Sequence, residues 1–148
     1  MNRIFVALTL VLLTVDPGYT SESVAARKLT CQSDEMAWVS THLFFGRSIS
    51  PKHEGEPAGH VSDDQWSAFR KKHITPRFPN GYTLINGKGH WMDDKTGRQF
   101  AEDSKILILL HEPDEASENK ILEIRNAYKE AFDQQSVLRS VSATCIQF

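Results

Sequence analysis

Two glycines interrupt the stretch GYTLINGKGHW, Gly81 to Trp91, at positions 87 and 89, where a β-strand ordinarily carries bulk. The run Asp94-Lys95-Thr96-Gly97 that follows is a hairpin turn by composition. Pairing Asp93 with Arg98 across it opposes Trp91 to Phe100, Gly89 to Glu102, Gly87 to Ser104 and Ile85 to Ile106, all on one face. The glycines then remove side chains directly across from a carboxylate and a hydroxyl, leaving a notch with aromatic rings at one end. Such a notch suits a small ligand held by Gly87, Gly89, Trp91 and Ser104. In a closed pocket that raised its pKa, Glu102 would instead serve as a general base, with His90 or a loop histidine as the acid. The competing reading is that the glycines mark a bulge or a close backbone approach. Lys88 against Asp103 and Asn86 against Lys105 fall on the opposite face and read as structural pairs.

The elements that must position this notch follow from periodicity and turn chemistry. MAWVSTHLFF, Met36 to Phe45, is rich in β-branched and aromatic residues and stops at Gly46, so it reads as a first strand. Val61-Ser62-Asp63-Asp64-Gln65-Trp66 starts a helix, with Ser62 and Gln65 as a capping box and Val61 and Trp66 at the staple positions. Trp66, Phe69 and His73 share a face, the basic run Arg70 to His73 suits a last turn, and Pro76 ends the helix. A second strand runs from Tyr82 to about Asp93 and a third from Arg98 to Glu112. Pro113-Asp114 opens a helix with the apolar stripe Ile121, Ile124, Tyr128, Ala131 and Phe132, and Leu138 to Phe148 forms a last strand. The order βαββαβ is the ferredoxin-like split βαβ of the α+β class, an antiparallel sheet with two helices on one face. Right-handed crossovers place the first and third strands in the centre. A turn at Asn86-Gly87, giving a meander of shorter strands, is the alternative.

This topology carries further expectations. The Pro/Gly-rich segment 47–60 leaves from the hairpin's end of the sheet, so Arg47, His53 and His60 are placed to lie over the notch as a lid. His53, Glu54, Glu56 and His60 form the one cluster of plausible metal ligands, but a loose loop does not preorganise a metal, and no metal or cofactor is expected. His42 and His111 read as hydrogen-bonded core or rim residues, and Arg77 as a salt bridge or turn clamp beside Glu112 and Asp114. KILILLHE, Lys105 to Glu112, is apolar on both faces, so the side of the sheet away from the helices needs a cover. A homodimer through that open face is the simplest candidate, with packing by the N-terminal segment as the rival.

The whole chain sets the class. Its 148 residues, 40% hydrophobic and 24% charged, suit one globular domain. A net charge of −2 gives no reason to expect nucleic acid. Arg3, the apolar run Ile4 to Val15 and the small residues after it read as a signal peptide over 1–25, followed by a lead over 26–35 and the α+β domain over 36–148. The apolar run is short of the ~20 residues that span a bilayer, so no stable membrane anchor is expected after cleavage. The protein is therefore expected to be secreted or periplasmic. Its two cysteines, Cys31 and Cys145, have one intramolecular pairing, and the topology brings them to the same end of the sheet. There is no G-x-S-x-G elbow, zinc-protease helix, Walker loop or dinucleotide fingerprint.

From Trp38 onward the chain resembles the exported bacterial proteins grouped as the domain of unknown function 3574 family. The residues that carry the resemblance are Phe45-Gly46-Arg47, Val61-Ser62 with Trp66 and Phe69, Thr75-Pro76-Arg77-Phe78-Pro79 with Gly81 and Thr83, Gly89, Trp91, Glu102, Ser104 and Lys105. His90 stands where that family carries Gln. The resemblance implies a compact α+β domain outside the cytoplasm and supplies no reaction. The leading functional expectation is an envelope module that binds a small ligand or a protein partner. The alternative is a small cofactor-independent enzyme resembling dimeric α+β barrel proteins, with Glu102 as base.

Overall fold

The computed structural model describes residues 30–49, 57–92, 97 and 99–148. The expected signal peptide, the loop residues His53, Glu54 and Glu56, and Asp93 to Thr96 with Arg98 of the hairpin turn lie outside them. The elements in chain order are β1 (Met36–Gly46), β2 (Ser48–Ile49), β3 (Gly59–His60), α1 (Asp63–Phe69) continued by a π-helical turn (Arg70–Ile74), β4 (Thr83–Met92), β5 (Gln99–His111), α2 (Glu115–Phe132) and β6 (Leu138–Ile146).

Four long strands form one antiparallel sheet in the order β4-β5-β1-β6. The first and third long strands are central, the arrangement expected for a split βαβ fold. β4 is continuous through Asn86 and Gly87, so the meander alternative is not what the chain adopts. The period-2 alternation sorts the sheet's two faces. Thr41, Leu43 and Phe45 of β1 and Leu107, Leu109 and His111 of β5 are buried beneath the helices. Their neighbours in each strand point the other way, to a face that no described helix covers.

Phe45 joins the layers, since its ring meets Trp66 of α1 at 5.1 Å and Tyr128 of α2 at 4.7 Å. Around it Val61, Phe69, Ile74, Ile121, Ile124 and Val137 complete the core. Burying each such side chain contributes about 1.5–3 kcal/mol. In α2 the expected stripe holds at Ile121, Ile124, Tyr128 and Phe132, whereas Ala131 is exposed and Ala127 packs on the core instead.

The helix ends explain themselves locally. Ser62 Oγ accepts from the Gln65 N–H at 3.2 Å while Gln65 Oε1 accepts from the Ser62 N–H at 2.8 Å, closing the capping box. The Thr75 N–H reaches back five residues to the Arg70 carbonyl at 3.0 Å, and Pro76, having no N–H, stops the helix. Asp114 caps α2 by accepting from the Ser117 N–H at 2.6 Å.

Two expectations change. Residues 47–60, read as a connection without regular structure, close at their base as a short ladder pairing Ser48 with His60 and Ile49 with Gly59. Arg77 does not sit beside Glu112 and Asp114. It donates to Glu123 of α2 at 2.8 Å and to the His73 carbonyl at 2.9 Å. The physical reason is that β4 begins only at Thr83, so Arg77 lies in a turn that follows the helix end and not the sheet register. At the far end of the sheet Cys31 and Cys145 are joined in a disulfide.

Candidate functional site

The ladder between β4 and β5 opposes Gly87 to Ser104, Gly89 to Glu102 and Trp91 to Phe100 without a two-against-one step. Among the described residues only Gly81, Gly97 and Asp133 have positive φ. Gly87 and Gly89 are therefore ordinary strand residues, and no bulge calls for them. What they provide is space. A Cβ at Gly89 would meet Glu102 Cγ at an ordinary 3.7 Å, whereas one at Gly87 would press Ser104 Oγ at 3.0 Å and Ile106 Cδ1 at 3.1 Å. At one end of this strip Trp91 and Phe100 stack with ring centroids 4.4 Å apart and planes inclined by 13°, and Trp91 remains 49% exposed. Ile85 and Ile106 border the other end. All of this lies on the face turned away from the helices.

Glu102 leans from the strip toward the end of β1. Its carboxylate accepts from the Ser48 N–H at 3.1 Å and occupies the space beside Gly46, where a Cβ would lie 2.8 Å from either carboxylate oxygen. The Gly46 carbonyl in turn accepts from the Tyr128 hydroxyl at 2.8 Å. Burial raises the pKa of that phenol, and the Glu102 charge adds to the rise against Arg47, so it stays a donor. Glycine at 46, which sequence reasoning took only as a strand stop, is thus the position on which the carboxylate rests. The signal lay in Phe45-Gly46-Arg47, but nothing in a linear sequence ties position 46 to 102.

The other side of the hairpin carries the charges. Arg47, expected above the strip, is 7% exposed and lines a small depression with Gly87, Ser104 and Asp63. Its Nε donates to the Val61 carbonyl at 2.7 Å and its guanidinium pairs with Asp63 at 3.2 Å. Lys105 Nζ donates to Asp63 at 3.0 Å and to Asn86 Oδ1 at 2.8 Å, and Lys88 pairs with Asp103. The Lys105 hydrogen bond, then the Arg47 charge, hold Asp63 below the usual carboxylate range, and Lys88 does the same for Asp103. Sequence reasoning found the Lys88–Asp103 and Asn86–Lys105 pairs from the register but missed their junction with Arg47 at the start of α1.

His90 shares this side, because the pleat turns it opposite to Glu102. The two do not face each other across the strip and meet only around the sheet's end, in a shallow depression of about 430 Å3 whose lining includes Ser48, His60, Lys88 and Asp103. His111 is buried, bonded to Thr41 Oγ1 at 3.0 Å and to the Glu112 carbonyl at 2.7 Å, and His42 meets Ser40 at 3.2 Å. Both fill the structural role expected of them. Among the described residues the grouping of potential metal ligands is Cys31, Glu35 and Cys145, whose sulfurs are already joined to each other.

The family profile described as "Protein of unknown function (DUF3574)" matches residues 40–148, from within β1 to Phe148. The chain belongs to this family. No protein of curated function matches it in sequence. Among solved structures, the DUF3574 fold is similar to a phage SAM lyase in complex with S-methyl-5'-thioadenosine, with a TM-score of 0.52 and 15% identity over 82% of this chain and 95% of that one. A phage SAM lyase in the apo state aligns with a TM-score of 0.48 and 16% identity, over 81% of this chain and 95% of its own. At 15% identity the likeness to the first of these is one of fold, and it agrees with the α+β architecture built up above. Among the described residues no helix of the DUF3574 chain is long and apolar enough to cross a membrane.

Proposed function

We propose that the domain is an exported binding module whose working surface is the Gly87–Gly89 strip with Glu102, Ser104 and the Trp91–Phe100 pair. The observation that supports this reading is the strip itself: two glycines in a regular ladder beside an exposed aromatic stack. Neither glycine serves a turn; Gly87 makes way for Ser104 and Ile106 of its own chain, while the room beside Gly89 is left for something else. An aromatic face takes a flat ring, and the Ser104 hydroxyl and the remaining lone pairs of the Glu102 carboxylate accept hydrogen bonds from ring substituents. A ligand with a flat, hydrogen-bonding ring is the class that suits this chemistry. Titrating the purified protein with S-methyl-5'-thioadenosine, read by tryptophan fluorescence, tests it. Binding that Glu102→Gln and Trp91→Ala each weaken at least tenfold is the expected outcome. An affinity that neither substitution changes sinks the assignment.

A second reading, a cofactor-independent enzyme with Glu102 as general base, draws support from the fold likeness to a lyase. It has less support from the site, since His90 and Glu102 project from opposite faces and would need another acid. Release of S-methyl-5'-thioadenosine from SAM, lost in Glu102→Gln, is the assay that favours it.

Export through a signal peptide over 1–25, leaving a lead over 26–35 and a domain over 36–148, fits the Cys31–Cys145 bridge, because disulfides persist in oxidising compartments. The net charge of −2, with the basic run Arg70 to His73 lying at a helix end, gives no support to a nucleic-acid partner. The mass of the protein recovered from the periplasm or medium tests the export reading, and an N-terminus still at Met1 argues against it.

A further inference from the structure

The open face of the sheet is an apolar surface with almost no charge. The ladder registers place Met36, Trp38 and Phe44 of β1, Ile85 and Trp91 of β4 and Ile106, Ile108 and Leu110 of β5 on this face, opposite the buried Leu43, Phe45, Leu107 and Leu109, with Ser140, Ser142 and Thr144 of β6 along one edge. Leu110 is 48% exposed and Leu138 is 65% exposed. Glu102 is the only carboxylate and His42 the only other ionisable side chain among the described residues of this face, in a chain that is 24% charged. The lysines and arginines of the sheet, Lys88, Lys105 and Arg139, all project to the helix side, where they pair with Asp103, Asp63 and Glu118. Solvated sheet faces ordinarily carry such charges themselves, and contiguous exposed apolar patches mark interaction sites.

We infer that this face packs against the same face of a second copy, and that the glycine strip becomes an enclosed ligand slot only in that pair. The charge pattern selects the occupant. A surface whose only ionisable side chains among the described residues are Glu102 and His42 offers little to a strongly acidic or basic partner, whereas a second copy presents the same low-charge relief and no repulsion beyond two separated Glu102 groups. Each of those carboxylates is already held by its own chain at Ser48. The size is adequate. Four strands ~4.8 Å apart and roughly 30 Å long give a flat area on the order of 600 Å2 before side-chain relief, near the ~800 Å2 per partner of a standard stable interface.

The pairing has a consequence for the strip, and here the inference rests on the ligand reading above. Two packed sheets sit about 10 Å apart with side chains filling the gap. Where Gly87 and Gly89 supply none, a slot remains, floored by Glu102 and Ser104 and ended by the Trp91–Phe100 stack. In a single copy the strip is open to solvent, although small-molecule sites bury most of their ligand. The second copy supplies the missing wall.

Sedimentation equilibrium of the purified, oxidised protein at micromolar concentration tests the pairing, alongside Leu110→Lys and Ile85→Lys. Both positions are exposed, so the single copy tolerates a lysine there while an apolar interface does not. The expected result is twice the monomer mass for the wild type and the monomer mass for each variant, with unchanged far-ultraviolet circular dichroism. A measurement that needs no variant is hydroxyl-radical oxidation of Met36 and Trp91, which should rise as the wild type is diluted through its dissociation range. A wild-type monomer, lysine variants that remain dimeric, or oxidation independent of dilution overturns the pairing. Titration of S-methyl-5'-thioadenosine separates the two readings. A dimer that binds nothing overturns the ligand assignment and leaves the pairing intact. A lysine variant that is monomeric yet binds as well as the wild type overturns the closed slot and leaves the ligand assignment intact. Weakening of at least tenfold in monomeric Leu110→Lys, whose substitution lies away from the strip beside Ser40, supports both.

Discussion

The carboxylate of Glu102 fills the space that a side chain at Gly46 would need, 56 positions earlier in the chain, with a Cβ at 46 falling 2.8 Å from both oxygens. The crowded atoms are the far end of a flexible side chain, so an added methyl would displace the carboxylate and break its bond from the Ser48 N–H. We expect Gly46→Ala to cost about 1 kcal/mol, the net worth of such a bond. In a Glu102→Ala background the same substitution should cost less. Denaturant unfolding of the four proteins of this double-mutant cycle measures the coupling, and strict additivity would mean that the two residues do not compete for the space.

The two strip glycines should respond differently to alanine. At Gly89 the new methyl meets only ordinary contacts, and removing backbone freedom from the unfolded chain should leave stability unchanged or raise it by up to about 1 kcal/mol. At Gly87 it presses Ser104 and Ile106, and a loss on the order of 1 kcal/mol is expected. Thermal melts of the two single variants decide the matter, and destabilisation by Gly89→Ala would contradict the geometry.

Reduction of the Cys31–Cys145 bridge opens a loop with a sequence separation of 114. The chain-entropy account puts its stabilising effect at about 4 to 5 kcal/mol, an upper figure where the unfolded chain retains structure. Melting with and without a thiol reductant should show a fall of many degrees, matched by Cys31→Ser with Cys145→Ser. An unchanged melt would mean that the sheet holds its ends together unaided.

Asp63 links the start of α1 to β5 through Lys105, whose hydrogen bond is the first cause of its lowered pKa, ahead of Arg47. Because the folded value lies below the ordinary 3.8, the contribution is complete above that pH and is lost as pH falls through the folded value. Carboxyl NMR titration should show Asp63 moving back up toward the ordinary value in Lys105→Met, with a shallower dependence of stability on pH in the acid range. A titration unchanged by the substitution would assign the shift to Arg47 alone.

Much of this architecture is legible in the sequence because its signals are local or periodic. Ser62 and Gln65 announce a helix start three residues apart, and the period-2 alternation either side of Asp94-Lys95-Thr96-Gly97 sets a register that brings Gly89 to Glu102. Strand order follows from chain handedness. What escapes is contact between segments that no period connects. Gly46 beneath the Glu102 carboxylate, Arg47 against Val61 and Asp63, and Arg77 against Glu123 each depend on how a turn leaves a helix or strand, which residue types alone do not specify. The same limit explains why the pairing of Arg47 with Asp63 and the place of His60 in the depression beside Glu102 are not readable: β2 and β3 pair for only two residues each, too short to register in the pattern.

The bridge between Cys31 and Cys145 also decides how the domain meets mechanical load. It joins Cys31, five residues before β1, to Cys145 of the edge strand β6, with Ile146, Gln147 and Phe148 beyond it. Tension applied between Thr30 and Phe148 runs through two sulfur atoms and leaves the intervening sheet slack. Pulled between Thr30 and Phe148, the oxidised protein should yield almost no extension, and only reduction would let the strands peel apart under force.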